Sequence, residues 1–166
     1  MEVLQVTKVR EYLTNLQDNI CSQLEQEDGA ASFIEDHWGS HTSATGRTRI
    51  LTAGQVIEKG GVNFSHVTGD SLPIAATNKR PDLANCPFQA MGVSLVVHPA
   101  NPYVPTSHFN IRLITVDQEA SDPVWWFGGG LDLTPYYPFT EDCIHWHSVL
   151  AKTCRPFGKE IYPKLK

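Results

Sequence analysis

Histidine, asparagine and arginine recur at alternate positions in His108-Phe109-Asn110-Ile111-Arg112. Successive side chains of a strand point to opposite faces, so the imidazole, amide and guanidinium would form a row on one face. Phe109, Ile111 and Leu113 would lie on the other and pack on a core. Arginine supplies a planar fork that matches a carboxylate, and asparagine adds directional donors. Such a row suits an acidic ligand; the competing reading is an ordinary solvent-exposed sheet face. Met91 to His98 alternates in the same way. Met91, Val93, Leu95 and Val97 share one face, and Ser94, Val96 and His98 the other. If both polar faces point the same way, five hydrogen-bonding groups line one patch, but the alternation alone leaves the register of the two strands open.

A second constellation is Trp125-Trp126-Phe127-Gly128-Gly129-Gly130-Leu131-Asp132-Leu133-Thr134-Pro135. A glycine triplet after an aromatic strand lets the backbone bend sharply and lets a ligand approach closely. Neither G-x-G-x-x-G nor a Gly-Lys-Ser/Thr phosphate loop is present, so no flavin or nicotinamide cofactor is expected. Asp132 either offers its carboxylate to a ligand N–H or caps a tight turn. His145 and His147 sit two apart in a helical pattern and point to opposite sides, only His147 falling on the inward stripe. His98, His108 and His147 could converge on a metal. No short zinc-type spacing supports this, and hydrogen-bonded pocket or core histidines are the favoured reading.

The elements that must position these residues are legible from periodicity. Val6, Val9, Leu13, Leu16, Ile20 and Leu24 recur at spacings of three and four, which predicts a helix with one buried stripe, ended by Asp28-Gly29. Strands are expected around Phe33 to Trp38, Arg47 to Thr52, Gly61 to Val67, Met91 to His98, Ser107 to Val116 and Val124 to Phe127. A polar loop is expected from Gly39 to Gly46, and a long ordered loop from Thr68 to Pro87. Pro99 to Thr106 is too short for a helical crossover, so its flanking strands should pair antiparallel. Thr140, followed by Glu141 and Asp142, reads as a helix cap with two acids in the first turn. Ile144, His147, Leu150, Ala151 and Cys154 form that helix's apolar-leaning face, and Gly158 its stop. The class is α+β, an antiparallel sheet flanked by helices, in a single domain over residues 1–166.

Composition narrows the partners. The chain has 166 residues, 41% hydrophobic and 19% charged, enough for a packed core. A formal charge of -5 argues against a nucleic-acid groove or a polybasic membrane surface, without excluding a local basic pocket. No apolar run approaches the roughly 20 residues that span a bilayer. The start of the chain lacks signal or transit character, so a cytoplasmic address is expected. Cys21, Cys86, Cys143 and Cys154 form no C-x-x-C pair and read as reduced structural thiols.

Longer motifs carry a resemblance. Gly61-Val62-Asn63-Phe64-Ser65, Met91 to Pro99 with Asn101 to Thr106, the His108/Asn110/Arg112 row, Trp125 to Pro135, Glu141-Asp142 and His145-Trp146-His147 together resemble oxygen-dependent coproporphyrinogen III oxidase of the bacterial type. The resemblance implies oxidative decarboxylation of two propionates of coproporphyrinogen III to vinyl groups, with O2 as oxidant and protoporphyrinogen IX as product, in haem biosynthesis. It implies His108 as proton donor, Asp132 as a catalytic carboxylate, and Ser94, Asn110, Ile111 and Arg112 as substrate-binding residues. His98, His108 and His147 match positions assigned to a divalent metal in bacterial members, and the full-length enzyme is expected to be a homodimer. Family members are nearly twice as long, so further substrate-binding residues and a dimerisation segment are expected beyond Pro163, and the 166-residue chain alone is expected to have little or no oxidase activity. The alternative is a non-catalytic tetrapyrrole-binding module derived from the enzyme.

Overall fold

The computed structural model describes residues 4–39, 43–73, 77, 80–118 and 121–166. One long helix, α1 (Val6–Asp28), precedes six strands: β1 (Ile34–Trp38), β2 (Ala44–Thr52), β3 (Ile57–Gly69), β4 (Phe88–Pro99), β5 (Thr106–Gln118) and β6 (Ser121–Thr134). Two helices follow, α2 (Thr140–Cys154) and α3 (Ile161–Leu165), separated by a 3-10 turn at Arg155–Phe157. The strands form one sheet in sequence order, and every neighbouring pair is antiparallel. The expected α+β class is what the chain adopts.

The sheet has two unlike faces. Beneath α1, Val62, Phe64, Met91, Val93 and Leu113 pack with Leu13 and Cys21 into the main core. A second cluster, Leu51, Ile57 and Val97, lies under Leu24 and Phe33. The predicted stripe of α1 is thus the stripe that docks, and Gly29 ends the helix in the left-handed region at φ 75.

Polar contacts fix where α1 sits. Gln17 is fully buried; its amide donates to the backbone carbonyls of Arg47 and Val62, both at 2.8 Å. Its carbonyl accepts from Arg47 Nε at 2.7 Å, so every strong hydrogen-bonding group of this side chain is engaged. Arg47 and Arg49 both reach Asp18 on the helix at 2.8 Å, and Arg49 also pairs with Glu35 on β1 at 2.6 Å. The Arg49 guanidinium lowers the Glu35 pKa. At the far end of the helix, the buried Asp28 carboxylate accepts backbone N–H groups from Ala31, Val56 and Ile57 at 2.9, 3.0 and 2.9 Å. These bonds hold its pKa well below the usual carboxylate range. Gly54 makes this approach feasible, since a Cβ there would lie 2.1 Å from Asp28 Oδ2.

Four expectations need correction. The glycine triplet does not bend the chain. β6 runs through Gly128, Gly129 and Gly130, none of which has positive φ, because each is paired with β5 and the ladder overrides glycine's freedom. Glycine inside a strand costs about 0.5–1 kcal/mol per residue relative to alanine, so three in a row ask for a compensating reason. The polar loop expected to Gly46 is shorter, since β2 starts at Ala44 and Gly46 lies beneath the Trp38 indole; residues 40–42 lie outside the described set. Thr140 is the first helical residue of α2 and Phe139 the N-cap, with no side-chain cap bond. Ile144 is exposed rather than inward, because α2 turns Cys143, Trp146, His147, Leu150 and Cys154 toward the sheet. The four cysteines are free thiols, as expected, and burial raises the pKa of Cys21.

Two stability outcomes follow from the docking of α1. Gln17→Leu should lower unfolding free energy by about 1–3 kcal/mol in urea titration, because buried carbonyls and the Arg47 Nε–H lose their partners. The Asp28 carboxylate has a depressed pKa in the folded state, so its stabilisation is complete above the unfolded value near 4 and fades as pH falls further. Asp28→Asn should lower the urea midpoint at pH 7 and flatten this acid-side loss; an unchanged pH profile would contradict the assignment.

Candidate functional site

Registers across β3 to β6 settle which polar groups meet. Asn63, Ser94, Asn110 and Gly130 lie in one transverse row, and Val96, His108 and Asp132 in the next. Ser65, Gly92, Arg112 and Gly128 form the row on the other side. Directly opposed residues of antiparallel strands project to the same face. Ser94, His108, Asn110, Arg112 and Asp132 therefore share the face opposite α1, together with His98, whose Nδ1 lies 3.3 Å from Thr106 Oγ1. The two polar faces do point the same way.

Within this patch the groups orient one another. Asp132 accepts a hydrogen bond from Thr134 Oγ1 at 2.8 Å. Its Oδ2 also lies 3.2 Å from His108 Nδ1, an ion-pair distance without hydrogen-bond alignment, so that buried ring nitrogen has no aligned partner among the described residues. Arg112 Nη2 donates weakly to Asn110 Oδ1 at 3.4 Å, leaving most of its fork free. Ser94 and Arg112 are exposed, and His108 and Asn110 half-buried. The patch thus presents a cation with free donors at one end and a carboxylate beside an imidazole at the other. That combination can seat an acidic group at one end and an N–H group of the same ligand at the other, with a proton-carrying side chain beside the carboxylate.

Two features of the site were not singled out in advance. Asn63 sits opposite Ser94 with a buried Oδ1 that has no partner among the described residues. The alternation Gly61-Val62-Asn63-Phe64-Ser65 holds the signal, since it sets Asn63 apart from the core residues Val62 and Phe64. The other is the segment between β3 and β4, read from sequence as a long ordered loop. Its described part is anchored: Leu72 and Leu83 are buried with Val116, against Phe88, Ile114, Val124 and Trp126. Ile114 and Val116 belong to the face of Arg112, so this segment forms a wall at that end of the patch.

Two candidates stand apart from the patch. Ile111 points to the apolar face and packs on the main core, so only its backbone faces the polar side. His147 lines a cavity of about 810 Å³ between α2, α3 and the β5–β6 edge, with Phe109, Phe127, Leu131, Trp146 and Leu150. It is held there by the Tyr162 hydroxyl, 2.6 Å from His147 Nδ1. His98 and His108 do not line this cavity, whereas Asn110, Ile111, Asp132 and the β6 glycines border it. Among the described residues no group of three His, Cys, Asp or Glu side chains is placed to hold a metal ion. With His147 in the cavity and His98 and His108 outside it, the three histidines do not fit a metal in this arrangement. Nor is any helix among the described residues long and apolar enough to cross a membrane.

One comparison with known proteins bears on this geometry. The family model described as coproporphyrinogen III oxidase matches residues 8–166, which takes in α1 from Lys8 onward, the whole sheet and both later helices. The polar patch lies wholly inside the matched region. The chain belongs to the coproporphyrinogen III oxidase family, which acts in haem biosynthesis on a coproporphyrinogen substrate.

Proposed function

We propose that this chain takes part in the oxygen-dependent oxidative decarboxylation of coproporphyrinogen III, and that the polar face of β4 to β6 is where the substrate lies. The observation that carries the reading is the register: it sets Arg112, Asn110, Ser94, His108 and Asp132 on one face, free of the core. In each half-reaction a propionate –CH2–CH2–COOH and O2 become –CH=CH2, CO2 and H2O2, so the ring substituent loses two electrons and two hydrogens to oxygen. Arg112 and Asn110 hold a propionate carboxylate by charge-assisted hydrogen bonds, and Ser94 adds a donor. Asp132 faces the pyrrole N–H groups and stabilises positive character developing there. His108, beside Asp132, moves a proton. The electron-rich pyrrole relays to O2 the electron pair that the propionate releases as it loses CO2.

A second reading is a tetrapyrrole-binding module without turnover. The exposure of Ser94, Arg112 and Asp132 favours it, because an open face does not exclude water from a reacting centre. Oxygen uptake separates the two. Anaerobic titration with coproporphyrinogen III should show binding; in air, oxygen consumption with vinyl product, by this chain or by one extended at its C-terminus, supports the oxidase, and binding without uptake in both supports the module. Absence of binding would sink both.

Arg112→Ala should weaken that binding roughly tenfold to a hundredfold, the value of a charged hydrogen bond of about 1.5–3 kcal/mol. His108→Ala should leave binding largely intact and lower turnover about 10²- to 10⁴-fold wherever turnover is measurable. Equal loss of binding in both variants would argue that His108 is a contact rather than a proton carrier.

A further inference from the structure

The three glycines of β6 are not equivalent. Glycine is required in a fold for two main reasons: a positive φ, or a neighbour too close to admit a Cβ. None of the three has positive φ. Gly129 satisfies the second reason, since a Cβ there would lie 2.4 Å from the Asn110 carbonyl oxygen and 3.3 Å from Ile111 Cα. Gly128 and Gly130 satisfy neither. A Cβ on Gly128 would meet only Arg112 Cγ at 4.0 Å, and one on Gly130 only Asn110 Nδ2 at 3.9 Å, both ordinary contacts among the described residues.

These two glycines are also the two that project onto the polar face. They lie directly opposite Arg112 and Asn110 respectively. We infer that Gly128 and Gly130 are specificity-determining residues for the ligand of this face: they keep the backbone of β6 bare so that a flat macrocycle can lie against it. The inference rests on the function proposed above and deepens it. Arg112 is aligned with Gly128, and His108 with Asp132 four residues further along β6. At about 3.3 Å per strand residue the two ends of the patch are roughly 13 Å apart. A single pyrrole is too small to meet both ends, whereas a tetrapyrrole reaches a cation with one rim acid while its N–H centre approaches the carboxylate. A methyl group at either glycine would stand up from the floor, beside the Arg112 anchor at Gly128 or between the anchors at Gly130, and lift the ring.

The fold and the ligand ask for opposite things at these positions, which makes the test decisive. Valine favours strands over glycine. Gly128→Val and Gly130→Val should therefore unfold at or above the wild-type temperature, while anaerobic titration with coproporphyrinogen III, followed by tryptophan fluorescence, shows binding weakened at least tenfold. Gly128→Ala and Gly130→Ala should lose less, in order of side-chain size. Gly129→Ala should show the contrary pattern, a lowered unfolding temperature. Folded Gly128 and Gly130 variants that bind like the wild type would overturn the inference and leave the proposed function standing. Loss of stability in those variants matching that of Gly129→Ala would overturn it too, by showing that all three glycines serve the fold. A wild-type chain that fails to bind coproporphyrinogen III would overturn the proposed function, and the inference with it.

Discussion

Antiparallel pairing of β4, β5 and β6 in one register is the constraint on which the rest of the molecule depends. Ser94 faces Asn110 and His108 faces Asp132 only in that alignment. Because side chains alternate with a period of two, a slip by one residue would drive His108, Asn110 and Arg112 into the core and push Phe109 and Leu113 into water. Burial of Met91, Val93 and Leu113 under α1 makes that slip costly. The helix is itself held in place by Gln17, which reads the backbone of β2 and β3 through two carbonyls. A buried amide on the far side of the sheet thus helps to fix which groups meet on the near side.

The charges of the molecule are divided accordingly. Arg47, Arg49, Asp18 and Glu35 are paired with one another on the helix side, where they tie α1 to β1 and β2. On the opposite face, among the described residues, Arg112 is left with one weak internal partner and His108 Nδ1 with none that is aligned. Structural charges satisfy each other, while the charges of the candidate site remain available. A chain that is acidic overall can in this way still offer an acidic ligand a receptive surface, because the relevant quantity is the unpaired charge on one face rather than the sum over the whole protein.

Much of this was legible in the sequence, and the reasons for the remainder are physical. The stripe of α1 and the alternation of β4 and β5 follow from the periods of helix and strand, so both could be read from residue order alone. The register could not, because it is set by contacts between segments. The glycine triplet misled because glycine permits a bend without requiring one, and hydrogen bonds from β5 hold it extended. Thr140 looked like a helix cap, but the chain enters α2 one residue earlier, and a cap is defined by local geometry as much as by residue type. Asn63 belongs to a recognisable alternation, yet its significance appears only once Ser94 lies opposite. His147 shows the limit of motif arguments: its helix position was legible, whereas its placement in the α2–α3 cavity with Tyr162 depends on how those helices dock.

The opposition of the two sheet faces has a consequence for how the protein can change. Along β5, even-numbered residues from His108 to Arg112 answer to the ligand, and odd-numbered residues from Phe109 to Leu113 answer to packing. In many proteins a gain in activity is taken out of stability because the same side chains serve both. Here the thickness of one sheet separates them, so neighbouring codons carry independent traits. Substrate preference can drift along one face while the other conserves the fold, and the sheet accommodates both histories at once.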